Sequence, residues 1–80
     1  MPLEEMPNEF RARVKNPGDF QPGSFRRIPI NPEEGIFAII GRPKGKTTTA
    51  TQSFRFDKRK KKWTMEMIRK WLRDHGHKAI

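Results

Sequence analysis

Residues 41–50 read Gly-Arg-Pro-Lys-Gly-Lys-Thr-Thr-Thr-Ala and follow directly on the apolar run Ile36-Phe37-Ala38-Ile39-Ile40. A strand leading into Gly-x-x-x-Gly-Lys-Thr-Thr has the outline of a loop that cradles phosphate with backbone N–H groups and a lysine. The details argue against that chemistry. A phosphate loop places four residues between its glycines, and Gly41 and Gly45 enclose only three. Pro43 removes a backbone donor where the loop needs one aimed at phosphate. The lysine should open a helix, yet Thr47 to Phe56 is rich in β-branched and aromatic residues and favours a strand. Asp57 follows that same strand, so no separate strand presents a carboxylate to a magnesium ion. The pattern predicts a β-hairpin with a basic tip at residues 42–46, where Pro43-Lys44-Gly45 supplies the turn.

Two other groupings have side chains with chemical potential. Asp74-His75-Gly76-His77 offers two imidazoles and a carboxylate, but no fourth ligand is evident. A histidine at a helix C-terminus, meeting the dipole beside a capping glycine, is the simpler account. Ser24, Ser53, His75 and the aspartates show no spacing that argues for a hydrolytic set. No metal, cofactor or small-molecule substrate is therefore inferred, and no enzymatic activity is expected. Phe54-Arg55-Phe56 could stack bases beside a cation. In so small a domain the two phenylalanines are needed for the core.

Charge is the strongest compositional signal. Eighteen Lys and Arg against nine Asp and Glu leave +9. Residues 1–41 carry five basic and six acidic side chains, whereas residues 42–80 carry thirteen and three. That asymmetry points to a polyanionic partner, with solubility as the plainer alternative. Lys58-Arg59-Lys60-Lys61-Lys62 is the densest run. It has the composition of a solvated loop, a nuclear-import signal or a segment that neutralises phosphates without reading sequence. Arg42, Lys44 and Lys46 form the basic hairpin tip. Arg11, Arg13, Lys15 and Arg55 make a basic face if their strands are neighbours in one sheet. The candidate nucleic-acid-binding residues are Arg42, Lys44, Lys46, Arg55, Lys58, Arg59, Lys60, Lys61 and Lys62.

The elements that must position these residues follow from periodicity. Eighty residues without cysteine form one small domain with no disulfide or thiolate metal site. No apolar stretch is long enough to cross a bilayer, and the acidic, proline-broken start is not a signal peptide. Residues 1–9 read as a flexible acidic tail, 10–76 as a single α+β domain and 77–80 as a C-terminal tail. Phe10, Ala12 and Val14 alternate with Arg11, Arg13 and Lys15, a half-buried strand. Asn16-Pro17-Gly18-Asp19 predicts a type II turn, with Phe20 pinned to the core. Phe25 to Ile30 is extended, with Ile28 and Ile30 on one face and Pro29 marking an edge strand. Residues 36–40 read as a strand covered on both faces. A helix is expected over 64–75. Thr64 is its N-cap, Gly76 lies past its end, and Trp63 and Ile68 form a hydrophobic staple. Met65, Ile68, Trp71, Leu72 and His75 form one stripe, and Glu66 and Lys70 an i,i+4 pair. The expected fold is α+β, a small antiparallel sheet of three or four strands with one C-terminal amphipathic helix on one face. Trp63, Ile68, Trp71 and Leu72 should pack on Phe37, Ile39, Phe54 or Phe56.

The segment Phe54-Arg55-Phe56-Asp57-Lys58 leading to Trp63-Thr64, then Trp71-Leu72-x-x-His75-Gly76, resembles a stretch in tailed-bacteriophage proteins. It is similar to accessory parts of head-morphogenesis proteins and prohead maturation proteases, and to small phage or prophage proteins. Residues 25–76 are covered. The proteases' catalytic serine and histidine have no matching motif, so their activity is not carried over. The resemblance implies a phage or prophage accessory role, in the cytoplasm of a bacterial host or associated with the virion. The expected function is a non-enzymatic module that contacts DNA or RNA nonspecifically. The alternative is a protein–protein module whose partner is a phage structural protein.

Overall fold

A computed structural model describes residues 3–80. Five strands, β1 (Leu3–Glu5), β2 (Glu9–Arg13), β3 (Arg26–Asn31), β4 (Ile36–Gly41) and β5 (Ala50–Asp57), precede one helix, α1 (Met65–Asp74). The strands form a single antiparallel sheet in the order β1-β2-β5-β4-β3. The α+β architecture is as expected, with one strand more than expected. The additional strand comes from the segment read as a tail. Leu3 pairs with Ala12 and is 4% exposed, so burial of one leucine, about 1.5–3 kcal/mol, holds β1 on the sheet. At the other end of the chain the Ile80 N–H donates to the Arg13 carbonyl, and Ala79 packs against the core. Leu3–Glu5 and Ile80, which lie in the segments expected to be tails, are thus docked on β2.

β5 is the central strand, and its register sorts the side chains by face. Ile36 opposes Phe56 and Ala38 opposes Phe54 across β4, while Phe10 and Ala12 oppose the same two phenylalanines across β2. With Leu3, these residues form the floor on which Trp63, Ile68 and Leu72 pack. Trp71 meets Phe54 and Phe56 edge-on at 5.0 and 5.5 Å, and Trp63 meets Phe56 at 5.0 Å. Phe37 and Ile39 do not join this core. Alternation places them on the opposite face once Ile36 and Ala38 point inward, so the expected contact between the helix and those two residues is not made.

The helix forms as its sequence requires. The Thr64 hydroxyl accepts from the Met67 N–H at 3.2 Å, and Trp63 and Ile68 flank that cap within the core. At the far end Gly76 adopts φ 74°, donating to the Arg73 carbonyl, while the His77 N–H reaches the Leu72 carbonyl at 2.8 Å. Those two bonds are the Schellman pattern. The i,i+4 ion pair is Lys70–Asp74 at 2.6 Å, one turn later than the expected Glu66–Lys70 pair. Lys70 lies four residues from both carboxylates and can bond only one closely.

Three local expectations are corrected. Residues 17–19 form a 3₁₀ turn capped by the Asn16 side chain, which accepts from the Gly18 N–H. A type II turn would need positive φ at Gly18, and the glycines with positive φ are 23, 35, 45 and 76. Ile30 does not share the inward face with Ile28. A register shift between Pro29 and Asn31 leaves it 47% exposed on edge strand β3. Lys15 leaves the ladder because the N–H groups of Val14 and Lys15 both donate to the Gln52 carbonyl, at 2.9 and 3.1 Å.

Candidate nucleic-acid interface

The basic hairpin exists. Gly41 pairs with Ala50, and the connecting loop turns at Gly45, where the Lys46 N–H donates to the Pro43 carbonyl. β5 begins at Ala50, so Thr47–Thr49 belong to the exposed loop and not to the expected strand. No helix follows the lysine, which removes the fold context of a phosphate loop. The tip is docked on residues 19–24. Lys44 N–H donates to the Asp19 carbonyl, Gln21 N–H to the Arg42 carbonyl and Arg42 N–H to the Ser24 hydroxyl, at 2.9, 2.8 and 3.0 Å. Phe20, 2% exposed, anchors this platform against Phe25 and bridges to Pro43. Gly41 makes the packing possible, because a Cβ there meets the Phe20 and Phe25 rings at 2.9 and 3.0 Å. Arg42, Lys44 and Lys46 project from this anchored loop, all three exposed and without a carboxylate partner among the described residues.

The run 58–62 is different. Lys58 donates to Glu5 at 2.7 Å and to the Met6 carbonyl, with its ammonium 5.0 Å from the Phe10 ring centre. Arg59 grips Asp57 with two N–H groups of its guanidinium, while its backbone N–H bonds the same carboxylate. That is an Asx-type turn. The Arg59 bond holds the Asp57 carboxyl below its ordinary value of 3.8, against burial, which pushes it up. Lys61 bonds Glu34 at 2.6 Å and lies over the Trp63 ring. Lys60 and Lys62 alone in the run are exposed and unpaired among the described residues. The turn also packs on Gly35, whose φ is 77° and where a Cβ would meet Lys60 and Asp57 atoms at 2.8–3.0 Å. Much of the run therefore serves to close the end of the sheet.

The two basic segments stand at opposite ends of β5. Eight residues of strand separate them, about 27 Å at 3.4 Å per residue. They are not brought together into one site.

The basic face is assembled. Arg11 and Arg55 are direct cross-strand neighbours, Arg13 opposes Ser53, and Arg27 of β3 opposes Ile39. Like charges opposite one another are unfavourable. Glu9 resolves the conflict with one carboxylate, which lies 2.7 Å from Arg11, 3.0 Å from Arg55 and 3.5 Å from Arg27. Burial pushes the Glu9 carboxyl up, but hydrogen bonds from Arg11 and Arg55 and their charges prevail and hold it below its ordinary value of 4.5. Glu4 pairs at 3.6 Å with Arg13. Four guanidinium groups face two carboxylates, an excess of positive charge. Between these arms lies a hollow of about 320 Å³, lined in part by Phe25, Ile39, Ser53 and Arg55. Ser53 is 3% exposed, and its Oγ and the Arg55 Nε have no hydrogen-bond partner among the described residues. A buried polar group left unpaired costs about 1–3 kcal/mol.

Sequence reasoning missed Glu9, Phe25, Arg27 and Ser53 as parts of this face. The alternation Phe10-Arg11-Ala12-Arg13, extended back one residue, places Glu9 beside Arg11. Nothing local marks Ser53 or Arg27, because only the pairing of β4 with β3 and β5 brings them together. Phe54 and Phe56 are core residues, as expected, and the exposed aromatic ring that lines the same hollow as Arg55 is Phe25, 37% exposed.

The histidines take packing roles. His75 stacks on Trp71 at 4.0 Å with Nδ1 2.7 Å from the Trp71 carbonyl oxygen, and His77 packs on Phe54 at 4.7 Å. No group of three or more His, Cys, Asp or Glu is placed to hold a metal among the described residues. No described helix is long and apolar enough to cross a membrane. The residues that carry the phage resemblance all have folding roles: Trp63 and Thr64 start the helix, Trp71 and Leu72 face the sheet, and His75 and Gly76 end it. No protein-family model, curated protein or solved structure matches the chain.

Proposed function

We propose that the protein is a non-enzymatic accessory module that binds the phosphate backbone of DNA or RNA without sequence preference. The observation that carries this reading is the anchored hairpin tip, which presents Arg42, Lys44 and Lys46 with no carboxylate to neutralise them among the described residues. Cations held on a docked loop lose less freedom on meeting a phosphate than cations on a mobile one. Lys60 and Lys62 supply a second contact at the other end of β5, so a bound backbone tracks along the molecule. Lys58, Arg59 and Lys61 contribute less, because each must first leave a carboxylate. The resemblance of residues 25–76 to tailed-phage proteins supports a phage or prophage accessory setting.

Binding of the full chain to mixed-sequence DNA and RNA across a salt series tests the reading. Micromolar affinity at low salt is expected, falling steeply as salt rises. Arg42→Ala/Lys44→Ala/Lys46→Ala should flatten the log–log salt slope by about 2–3, near 0.9 for each phosphate contact on duplex DNA. Lys58→Ala/Lys61→Ala should flatten it by less. Absence of binding at low salt would remove the proposal. A protein–protein role in a phage assembly is the second reading, favoured by Ile30, which stands 47% exposed on edge strand β3.

A further inference from the structure

We infer that the hollow on the open sheet face receives one unstacked nucleotide of a single strand, its base against Phe25 and its phosphate between Arg11 and Arg13. The inference deepens the backbone-binding reading and rests on it for the polymer, while the hollow can be probed alone with a free nucleotide. Two independent observations converge, the size and lining of the hollow and the unpartnered polar atoms at its floor. The volume, about 320 Å³, sits at the small end of the range for ligand pockets. Its walls combine an apolar part, Pro17, Phe25 and Ile39, with the cations Arg11, Arg13 and Arg55, the mixture a flat ring bearing a phosphate requires, and Arg11 and Arg13 exchange the carboxylates of Glu9 and Glu4 for that phosphate. Its floor holds two polar atoms with unmet hydrogen bonds, Ser53 Oγ and Arg55 Nε. A base edge carries both donors and acceptors. The hydroxyl can serve either role, and Nε donates only.

The supporting contacts are already in place. Phe25 is braced by Phe20 at 5.5 Å, so the exposed ring is held before a base arrives. The Arg55 guanidinium is held by Glu9 through one terminal N–H, and Nε is its buried donor without a partner among the described residues. Ser53 Oγ and Arg55 Nε are themselves out of solvent contact, so entry requires an arm to swing aside. The Arg11 and Arg13 side chains that line the hollow are each 41% exposed. Duplex DNA cannot use the hollow, because its bases are stacked and paired. The face therefore discriminates single strand from duplex, which the hairpin tip by itself does not.

The test is a heteronuclear NMR titration of the full chain with an oligothymidylate, a duplex of equal length and free thymidine monophosphate. With the single strand and with the mononucleotide, the Arg55 Nε–Hε and Ser53 amide signals should shift. With duplex, shifts should be confined to Arg42, Lys44, Lys46, Lys60, Lys62 and their neighbours. Phe25→Ala should weaken single-strand binding roughly tenfold, the scale of one lost base–aromatic stack, and leave duplex binding unchanged. Circular dichroism of that variant establishes that it is folded. Should Phe25→Ala fail to fold, Ser53→Ala replaces it, with loss of the Arg55 Hε shift as the readout. Equal affinity for both polymers with no shift at Arg55 or Ser53 overturns the hollow and leaves backbone binding standing. Shifts at those two residues with the mononucleotide, in the absence of polymer binding, support the hollow and overturn the backbone reading. No shift with any of the three overturns both.

Discussion

The two faces of one sheet solve opposite problems with alternate residues of the same strands. On β5, Phe54 and Phe56 face the helix, whereas Ser53 and Arg55 line the hollow on the other side. The helix face is dry, aromatic and closed by Trp63, Ile68 and Leu72. The open face is built from arginines gathered around Glu9, with one hydroxyl and one guanidinium N–H left unmet. Stability is concentrated on the first face. On the second, the polar groups are held in position by charge pairs without being fully satisfied by them. A small domain cannot leave many side chains out of its core, and here the division falls between odd and even positions of residues 9–13 in β2 and 53–56 in β5.

The largest contrast lies between Phe56 and Phe25. Phe56 is 0% exposed and in contact with both tryptophans, so Phe56→Ala should cost about 3–5 kcal/mol in denaturant melts. The exposed Phe25→Ala should cost about 1 kcal/mol or less by the same measurement. Equal losses would mean that the open face is part of the core. Trp71→Ala, at a half-buried position against Phe54 and Phe56, should fall below Phe56→Ala at about 2–4 kcal/mol and lower the melting temperature sharply. An unchanged melting temperature would break the assignment of the helix to this face.

Removing the counter-ion of the open face is the next largest test. Glu9→Gln leaves Arg11, Arg27 and Arg55 without their shared carboxylate and should destabilise by about 1–3 kcal/mol. Acid does the same by titration. Glu9 and Asp57 have folded values below their ordinary 4.5 and 3.8. Each therefore contributes stability that is complete above the unfolded value and is lost as pH falls through the depressed folded value. Melting temperature should be level above pH 5 and fall below about pH 4, with a shallower fall in Glu9→Gln. An identical acid profile in the variant would show that Glu9 is not the hub. The smallest effect belongs to Ser53→Ala. Removing an unpaired buried hydroxyl should be neutral or stabilise by up to about 1 kcal/mol. A clear loss would mean that Ser53 Oγ has a partner in solution.

Legibility from the sequence varied with the range of the interaction. Helix α1 was readable almost to the residue, because Thr64, Gly76 and the Trp63/Ile68 spacing act within a few residues of one another. The hairpin was readable for the same reason, and its failure to match a phosphate loop needed only Pro43 and the glycine spacing. Strand β1 was missed. Leu3 looks unremarkable among Pro2, Glu4 and Glu5 until Ala12 and Phe54 provide the surface that buries it. The pairing of Lys58 and Lys61 within the run 58–62 is not legible locally, since their partners Glu5 and Glu34 lie far back in the chain.

Local order thus determined helix α1, the hairpin, the alternation of β2 and β5, and the positive charge of the second half of the chain, whereas β1 exists only through its pairing with β2. The tertiary structure decided which cations are free. Charge neutralisation acts through space, and only the order β1-β2-β5-β4-β3 sets Glu9 among three arginines from three strands. The same pairing decided that Phe37 and Ile39 leave the core. A strand's two faces are equivalent until register with its neighbours chooses one for burial.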